Sequence, residues 1–214
     1  MTLPDGADRH ALLRAAATTL PGPTPRLDAE LLLAEVLGEE RLAMLGGRRP
    51  LRPDEVARFA ALLDRRRAHE PVAYILGRRE FWSLDLAVTS AVLVPRADSE
   101  TLIEAALAEA GAPATILDLG TGSGALLLAA LSEWPAAFGV GVDRSAAAVA
   151  VARGNAVRLG LADRASFIVG DWAGAIGGQF DLILCNPPYV ETEAELSAEV
   201  AGFEPAAALF AGRD

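Results

Sequence analysis

Short apolar segments alternate with longer helical patterns through the second half of the sequence, and this alternation constrains the fold most strongly. Four apolar runs predict strands, at residues 114–119, 138–142, 166–169 and 180–185. The helical patterns between the first three cover residues 125–133 and 145–159. Continuous apolar strands separated by helices are typical of a parallel sheet covered on both faces. The sequence therefore predicts an α/β, Rossmann-like fold for this half.

The first 80 residues have helical patterns instead. One helix is predicted to begin at Thr24-Pro25 and end at Gly38, and a second to begin at Pro53. The apolar side of the first is predicted from residues at helical spacing: Leu27, Leu31, Ala34 and Leu37. The last turns of the second helix contain three arginines, Arg65–Arg67. Their position favours a solvated face whose positive charge complements the helix dipole, and the alternative is a contact surface for a macromolecule.

Between these halves the pattern changes to short strands. We predict a β-hairpin linker over residues 81–95, with its turn at 89–91, followed by a helix from about residue 98 to 110. The predicted domains are thus a helical domain (1–80), the linker (81–95) and the Rossmann-like domain (96–214).

Composition removes several classes of function. Of the 214 residues, 19 are basic and all of these are Arg, so chemistry that needs a lysine is excluded. One Cys and two His argue against a disulfide framework or a structural zinc site, and we expect no metal. A single Cys suits a reducing compartment, and the sequence has neither a basic-then-apolar start nor an apolar run of membrane-spanning length. These features predict a cytoplasmic protein without a membrane partner.

The net charge of −10 is unevenly distributed. Residues 1–90 hold 13 Arg and 13 acidic residues, whereas residues 91–214 hold 6 Arg and 16 acidic residues. An acidic domain repels a phosphate backbone. We therefore expect no direct binding of nucleic acid, and favour a small-molecule or protein substrate.

A glycine-rich turn follows the first predicted strand: Gly120, Thr121, Gly122, Ser123 and Gly124. Glycines at such a turn let a ligand approach the backbone closely. The spacing is G-x-G-x-G, whereas the dinucleotide fingerprint is G-x-G-x-x-G. The turn therefore favours a nucleoside ligand without a pyrophosphate over NAD.

Acidic residues follow the next two strands. Asp143 stands where a carboxylate accepts hydrogen bonds from ribose hydroxyls. Asp171 could accept from an adenine amino group, and the Trp172 indole could form a wall for the base. The alternative for either acid is a helix N-cap. Together with the glycine turn they predict the S-adenosylmethionine site of a class I methyltransferase.

The fourth predicted strand ends in Asn186-Pro187-Pro188-Tyr189. Both prolines fix φ and lack an N–H, and each restricts the residue before it, so the segment is stiff. The Asn186 side-chain oxygen and the Pro187 carbonyl could accept both hydrogens of a planar amino group, while Tyr189 lies against its flat face. The alternative is a tight loop that only ends the strand.

Here the sequence resembles a known family. Asn186–Tyr189 is similar to the tetrapeptide of methyltransferases that modify planar nitrogens. The N-terminal half selects one group among them, the protein N5-glutamine methyltransferases of the HemK/PrmC type. The segments similar to that group are Asp28–Leu32, Glu70–Gly77, Phe81-Trp82 and Pro95–Glu100. Ala97 and Ser99 depart from the usual Pro and Thr.

The resemblance implies an enzyme that methylates the Gln of the Gly-Gly-Gln motif in class I peptide chain release factors. It implies cofactor contacts at Gly120–Gly124, Asp143, Trp172 and Asn186, with Asn186–Tyr189 holding the substrate glutamine. The helical domain is expected to dock the release factor. The family's sheet has seven strands, so we expect the chain to be a fragment whose fourth strand is an uncovered edge.

Two other functions stay open at this point. A nucleic-acid amino-methyltransferase would use the same tetrapeptide, although the charge and the absence of Lys weigh against it. A non-catalytic protein that binds the cofactor or the release factor is the other alternative.

Overall fold

A computed structural model describes residues 8–174, 176–191 and 194–210. Internal contacts divide the chain into two units, Met1–Leu76 and Gly77–Asp214.

The described part of the first unit is helical, as predicted. Its helices are α1 (Arg9–Ala17), α2 (Pro25–Leu37), α3 (Arg41–Gly46), α4 (Pro53–Arg67) and α5 (Val72–Leu76). Helix α2 has Pro25 in its first turn and ends at Gly38, whose φ of 64° lies in the left-handed region that glycine adopts without strain. Both predicted helix starts and the glycine stop are therefore confirmed.

The apolar side predicted for α2 is confirmed only in part. Ala34 is buried and Leu37 packs against the core, but Leu27 is 41% exposed, and the buried residues also include Ala29, Leu32, Leu33 and Val36. Helix α2 contacts the other four helices of the unit. Leucines occur on several sides of this helix, so their spacing does not reveal which side the neighbouring helices cover.

Ion pairs inside the first unit account for the arginine triplet. Arg66 is buried, and its Nε donates to Asp28 Oδ2 at 2.8 Å. Arg65 pairs with Glu70, and Arg67 pairs with Asp64. A buried charge must be paired to be tolerated. The prediction of a solvated face is therefore wrong for Arg66, whereas Arg65 and Arg67 stay partly exposed although each is paired.

The second unit begins with an antiparallel hairpin of β1 (Arg78–Phe81) and β2 (Leu84–Ala87). Its turn lies at Trp82 and Ser83, with φ of 51° and 60°. A turn does occur at residues 89–91, where Val92 N donates to Thr89 O at 3.1 Å, but it joins no strands, so the predicted position of the hairpin turn is wrong. A turn with two positive φ values is normally marked by Gly or Asn, and the Trp82-Ser83 turn contains neither.

A four-stranded parallel sheet forms the centre of the second unit, in the order β5-β4-β3-β6. The strands are β3 (Thr115–Leu119), β4 (Phe138–Asp143), β5 (Ala165–Val169) and β6 (Leu182–Cys185). A 3₁₀ turn (Ala97–Ser99) leads into α6 (Glu100–Glu109), and α7 (Ala125–Glu133) and α8 (Ala146–Arg158) connect the first three strands. The core of the second unit packs α6, α7 and α8 against the sheet, and its buried residues include Ile103, Leu127, Val149 and Phe167. The predicted α/β fold is confirmed.

Beyond β6 the chain forms two short helices, α9 (Ala198–Phe203) and α10 (Ala206–Leu209). Val190 and Phe210 form an isolated parallel bridge, in which Val190 N donates to Leu209 O at 3.0 Å. Strand β6 is an edge strand of the described sheet, and its Ile183 is exposed. Within the described ranges, no helix has both the length and the hydropathy needed to span a bilayer.

Candidate functional site

A cavity of about 260 Å³ opens at the carboxyl ends of β3, β4 and β5. The predicted residues that line it are Gly120, Gly122, Asp143, Asp171, Trp172 and Pro188. This is the end of a parallel sheet at which ligands bind in open α/β folds. The structure therefore brings predicted residues from the ends of four strands, β3 to β6, to one cavity.

The glycine turn presents bare backbone to this cavity. Gly120 has a φ of 74°, and a Cβ built on it would meet nothing within 4 Å. Gly124 serves packing instead, because a Cβ there would lie 3.1 Å from Leu128 Cδ1. Thr121 and Ser123 are buried and do not line the cavity. Of the five predicted turn residues, two therefore border the ligand space and the others hold the turn.

Asp143 braces the glycine turn. Its Oδ2 accepts from Gly122 N and its Oδ1 from Ser145 N, each at 2.9 Å. Ser145 itself caps α8, since its hydroxyl accepts from Ala148 N. Each carboxylate oxygen has a further lone pair. Asp143 thus has a structural role and can still accept a hydrogen bond from a ligand.

The Asp171-Trp172 pair follows β5 and forms another wall. Trp172 has a φ of 47°, unusual for a bulky residue, and its indole remains partly exposed beside the cavity. The Asp171 carbonyl accepts from Gly174 N at 3.1 Å, which closes the turn. The turn directs both residues to the cavity, as predicted.

The C-terminal segment supplies a side of the cavity that was not predicted from the sequence. Pro205, Ala207, Ala208 and Phe210 all line it. The segment is held by Glu204, whose two carboxylate oxygens lie 2.8 and 2.7 Å from Arg96 Nη2. The sequence signal for this segment is an acid followed by a proline and an apolar run. The partner of that acid, Arg96, lies 108 positions away in the sequence.

The Asn186–Tyr189 segment contributes residues to two cavities. Pro188 lines the first, whereas Asn186 and Tyr189 line a second cavity of about 480 Å³. Tyr189 is 75% exposed. Asn186, expected to contact both cofactor and substrate, is placed on the second cavity and is not among the residues lining the first; Pro187 is exposed and lines neither.

Asp118 is a buried carboxyl for which the sequence patterns predicted no role. Thr121 Oγ1 donates to its Oδ2 at 2.6 Å, and its Oδ1 has no hydrogen-bond partner among the described residues. Burial raises the pKa of Asp118 to about 6, and the charge of Asp143 adds to this, while the Thr121 hydroxyl and the Leu127 backbone amide oppose it. A lone acid in an apolar strand before a glycine turn is the signal that could have identified it.

The chemistry of the first cavity fits S-adenosylmethionine. Asp143 and Asp171 offer acceptors for ribose hydroxyls and an amino group, and Trp172 with Val142 and Phe210 offers apolar surface. Two carboxylates, Asp143 and Asp171, and one guanidinium, that of Arg144, line the cavity. The acidic side chains are therefore in excess, which suits a cationic ligand. Within the described ranges, no cluster of His, Cys, Asp or Glu is arranged to hold a metal ion.

The class of protein follows from a comparison with domain families. Residues 96–209 match the Methyltransferase small domain, and residues 11–77 match the PrmC N-terminal domain. The second unit is therefore a methyltransferase domain. A solved S-adenosylmethionine-dependent methyltransferase from Geobacter sulfurreducens, in complex with S-adenosyl-L-homocysteine, is 33% identical, with a TM-score of 0.36 over 42% of this chain and 36% of that chain.

The particular family follows from sequence relatives. A release factor glutamine methyltransferase of Rhodospirillum rubrum is 50% identical over 194 residues, which cover 89% of this chain and 60% of that relative. The corresponding protein of Escherichia coli is 42% identical, with 95% of this chain and 74% of the relative covered. The chain belongs to the release factor glutamine methyltransferase family. It spans about 60% of the length of the Rhodospirillum rubrum relative.

Proposed function

We propose that this chain transfers a methyl group from S-adenosylmethionine to the side-chain amide nitrogen of a glutamine, the one in the Gly-Gly-Gln motif of class I release factors. The observation that carries the proposal is that the Asn186–Tyr189 segment supplies lining residues to both cavities. Such a rigid segment can hold a planar nitrogen beside the first cavity while the rest of the substrate occupies the second. The relatives named for this reaction support the choice of substrate.

The first cavity is proposed to hold the cofactor. Asp143 would accept from the ribose hydroxyls, Asp171 from the adenine amino group, and Trp172 would contact the base. The turn at Gly120 and Gly122 would allow the cofactor to approach the backbone closely. When bound, S-adenosylmethionine supplies an electrophilic methyl group on a positively charged sulfur.

The task of the tetrapeptide is alignment. An amide nitrogen is a poor nucleophile because its lone pair is shared with the carbonyl group. Acceptance of both N–H bonds by Asn186 Oδ1 and the Pro187 carbonyl would fix the nitrogen in line with the methyl group. Such positioning can contribute roughly 7–11 kcal/mol relative to free encounter. The two acceptors interact more strongly as the nitrogen becomes positive, so they favour the transition state.

The reaction does not require a histidine base. Both histidines, His10 and His69, belong to the helical unit, and no histidine occurs from residue 77 onward. After methyl transfer the nitrogen carries an extra proton and is strongly acidic, so the proton can pass to water. The demand on the protein is therefore geometric and electrostatic.

The charge distribution favours a protein substrate over DNA or RNA. Arg9, Arg49, Arg65 and Arg66 of the helical unit each pair with a carboxylate within that unit, which reduces the positive charge available to phosphates. We propose that the helical unit contacts the release factor, and that the protein acts in the cytoplasm during translation termination.

Methyl transfer with labelled cofactor tests the proposal. Two proteins are assayed. One is this chain, and the other is a chimera of this chain with the part of the Rhodospirillum rubrum relative that the sequence match does not cover. Substrates are a release factor, the same factor with the motif glutamine changed to alanine, and duplex DNA. We expect label on the glutamine side chain alone, located by mass spectrometry.

Three other results would each contradict the proposal. Label in DNA would indicate an amino-methyltransferase for nucleic acids. Label in the release factor whose motif glutamine is changed to alanine would indicate that a different residue is methylated. Binding of S-adenosylhomocysteine with no transfer by either chain would indicate a non-catalytic binding protein.

A further inference from the structure

The side chain of Asn186 is held by Ser99. Asn186 Nδ2 donates to Ser99 Oγ at 3.1 Å across 87 positions of sequence, and both residues line the second cavity. Ser99 occupies the N-cap position of α6, yet its side chain makes no capping hydrogen bond. Serine at an N-cap normally accepts from the backbone of the next turn. The hydroxyl of Ser99 is therefore engaged with Asn186 instead of the helix.

The orientation of the Asn186 carboxamide decides what it can bind. One end of the group, Oδ1, accepts hydrogen bonds, and the other, Nδ2, donates them. A substrate amide nitrogen carries two hydrogens, so it requires the Oδ1 end. With the carboxamide reversed, its N–H₂ group would face another N–H₂ group, and two donors repel.

We infer that Ser99 is a positioning residue: its hydroxyl binds the Nδ2 end of Asn186 and leaves Oδ1 free to accept from the substrate nitrogen. This inference rests on the proposed function, because it assumes that Asn186 holds the substrate amide. Loss of the hydroxyl would let the carboxamide reverse. Substrate would still reach the cavity, but a smaller fraction would have its nitrogen aligned.

A structural tether is the competing explanation. The segment that contains Ser99 also contains Arg96, which is bound to Glu204, the residue just before the segment that lines the first cavity. If Ser99 only tied this segment to the end of β6, its loss would reduce stability and cofactor affinity together. Positioning of Asn186 would reduce kcat and leave both of those unchanged.

Three variants separate these explanations. Ser99→Ala removes the hydroxyl, and Ser99→Thr keeps it. Ser132→Ala is the matched control, because Ser132 Oγ donates to the Ala129 carbonyl of its own helix and lines neither cavity. For each we measure kcat and KM for the release factor, Kd for S-adenosylhomocysteine by calorimetry, and Tm.

We expect Ser99→Ala to lower kcat roughly 10- to 100-fold with little change in cofactor Kd or Tm. Ser99→Thr should recover most of the rate, and Ser132→Ala should match the parent chain. Unchanged kcat in Ser99→Ala, or a parallel loss of Tm and cofactor affinity, would overturn the inference.

A spectroscopic measurement separates this inference from the substrate assignment. The ¹H–¹⁵N signals of the Asn186 side-chain amide, assigned by their loss in Asn186→Ala, should shift in Ser99→Ala and stay close to their position in Ser99→Thr. If no release factor is methylated but these signals behave as expected, the substrate is wrong and the hydrogen bond stands. If the signals do not respond to Ser99→Ala, the positioning role fails regardless of substrate.

Discussion

Arg96 Nη2 lies 2.8 and 2.7 Å from the two carboxylate oxygens of Glu204, a side chain that is only 1% exposed. The residues that follow, Pro205 to Phe210, include four that line the first cavity. Because Arg96 precedes the 3₁₀ turn before α6 and lines the second cavity, this ion pair joins two segments that are distant in sequence. It therefore fixes a wall of the proposed cofactor site.

Removal of the charge on Glu204 should weaken cofactor binding. In Glu204→Gln the shape is kept, but Arg96 no longer has an anionic partner, and the 205–210 segment should be held less firmly. Arg96 is partly solvated, which limits the cost. We expect the Kd for S-adenosylhomocysteine to rise about 5- to 10-fold, measured by calorimetry.

Asp85→Asn is the control for this prediction, because it removes the acid of the exposed Arg158–Asp85 pair, which lines neither cavity. It should leave the Kd unchanged. An unaltered Kd in Glu204→Gln would mean that the wall holds without the ion pair.

Asp143→Ala should weaken cofactor binding by about 1–3 kcal/mol, through lost hydrogen bonds to the ribose and a less ordered turn at Gly122. Asp181→Ala is the matched control. Asp181 also accepts from backbone amides, those of Ala114 and Thr115, but at the amino end of β3. Both variants should lower Tm, and calorimetry should show reduced affinity for S-adenosylhomocysteine in Asp143→Ala alone. Equal affinities would remove Asp143 from the cofactor site.

The parts of the fold that could be predicted are those whose signals are local. Helix α7 has the predicted bounds because Gly124 precedes it and Pro135 follows its end. The strand ends that carry Asp143 and Asp171 were also predictable, since parallel strands place their carboxyl ends at one edge of the sheet. The residues of the first cavity that follow strands could therefore be predicted from their positions in the sequence.

The parts that could not be predicted depend on partners far apart in sequence. Nothing near Ser99 indicates a bond to Asn186, and nothing near Arg66 indicates that Asp28 will pair with it inside the helical unit. The turn at Trp82 and Ser83 is a local feature, but it uses residues that rarely adopt positive φ. The composition gives the net charge of the chain. Which charged side chains are paired depends on contacts between distant segments, so it could not be predicted.

Asp118 should make stability depend on pH. Its pKa of about 6 in the folded chain exceeds its ordinary value of 3.8, so the folded state keeps a proton that the unfolded state loses. The free energy of unfolding should therefore fall as pH rises from about 4 to about 6.5, by on the order of 3 kcal/mol. Above this range the contribution is constant.

Asp118→Asn isolates this contribution, because an amide does not titrate. Urea unfolding across this pH range gives the free energy of unfolding of the parent chain and of Asp118→Asn. The difference between the two isolates Asp118, because the other titrating groups are common to both proteins. The parent chain should lose stability relative to Asp118→Asn as pH rises. A difference that does not change with pH would show that Asp118 titrates normally.

Tyr189 should act through its ring and not its hydroxyl. The side chain is largely exposed at the second cavity, where the ring can lie against the flat face of the substrate amide. Tyr189→Phe should keep most of the rate, whereas Tyr189→Ala should raise KM for the release factor and lower kcat. A large loss in Tyr189→Phe would show instead that the hydroxyl takes part.

Asn186→Ala should lower turnover about 10²- to 10³-fold, comparable to removing one well-placed electrostatic group. Asn186→Asp tests the reason, because it keeps an acceptor oxygen, and the Ser99 hydroxyl can donate to the second oxygen of the new carboxylate. The added negative charge should also attract the positive sulfur, so we expect partial activity with altered cofactor affinity. Rates on a release factor with Gly-Gly-Gln, measured at saturating cofactor, distinguish these variants. Near-normal turnover in Asn186→Ala would mean that the tetrapeptide does not hold the reacting nitrogen.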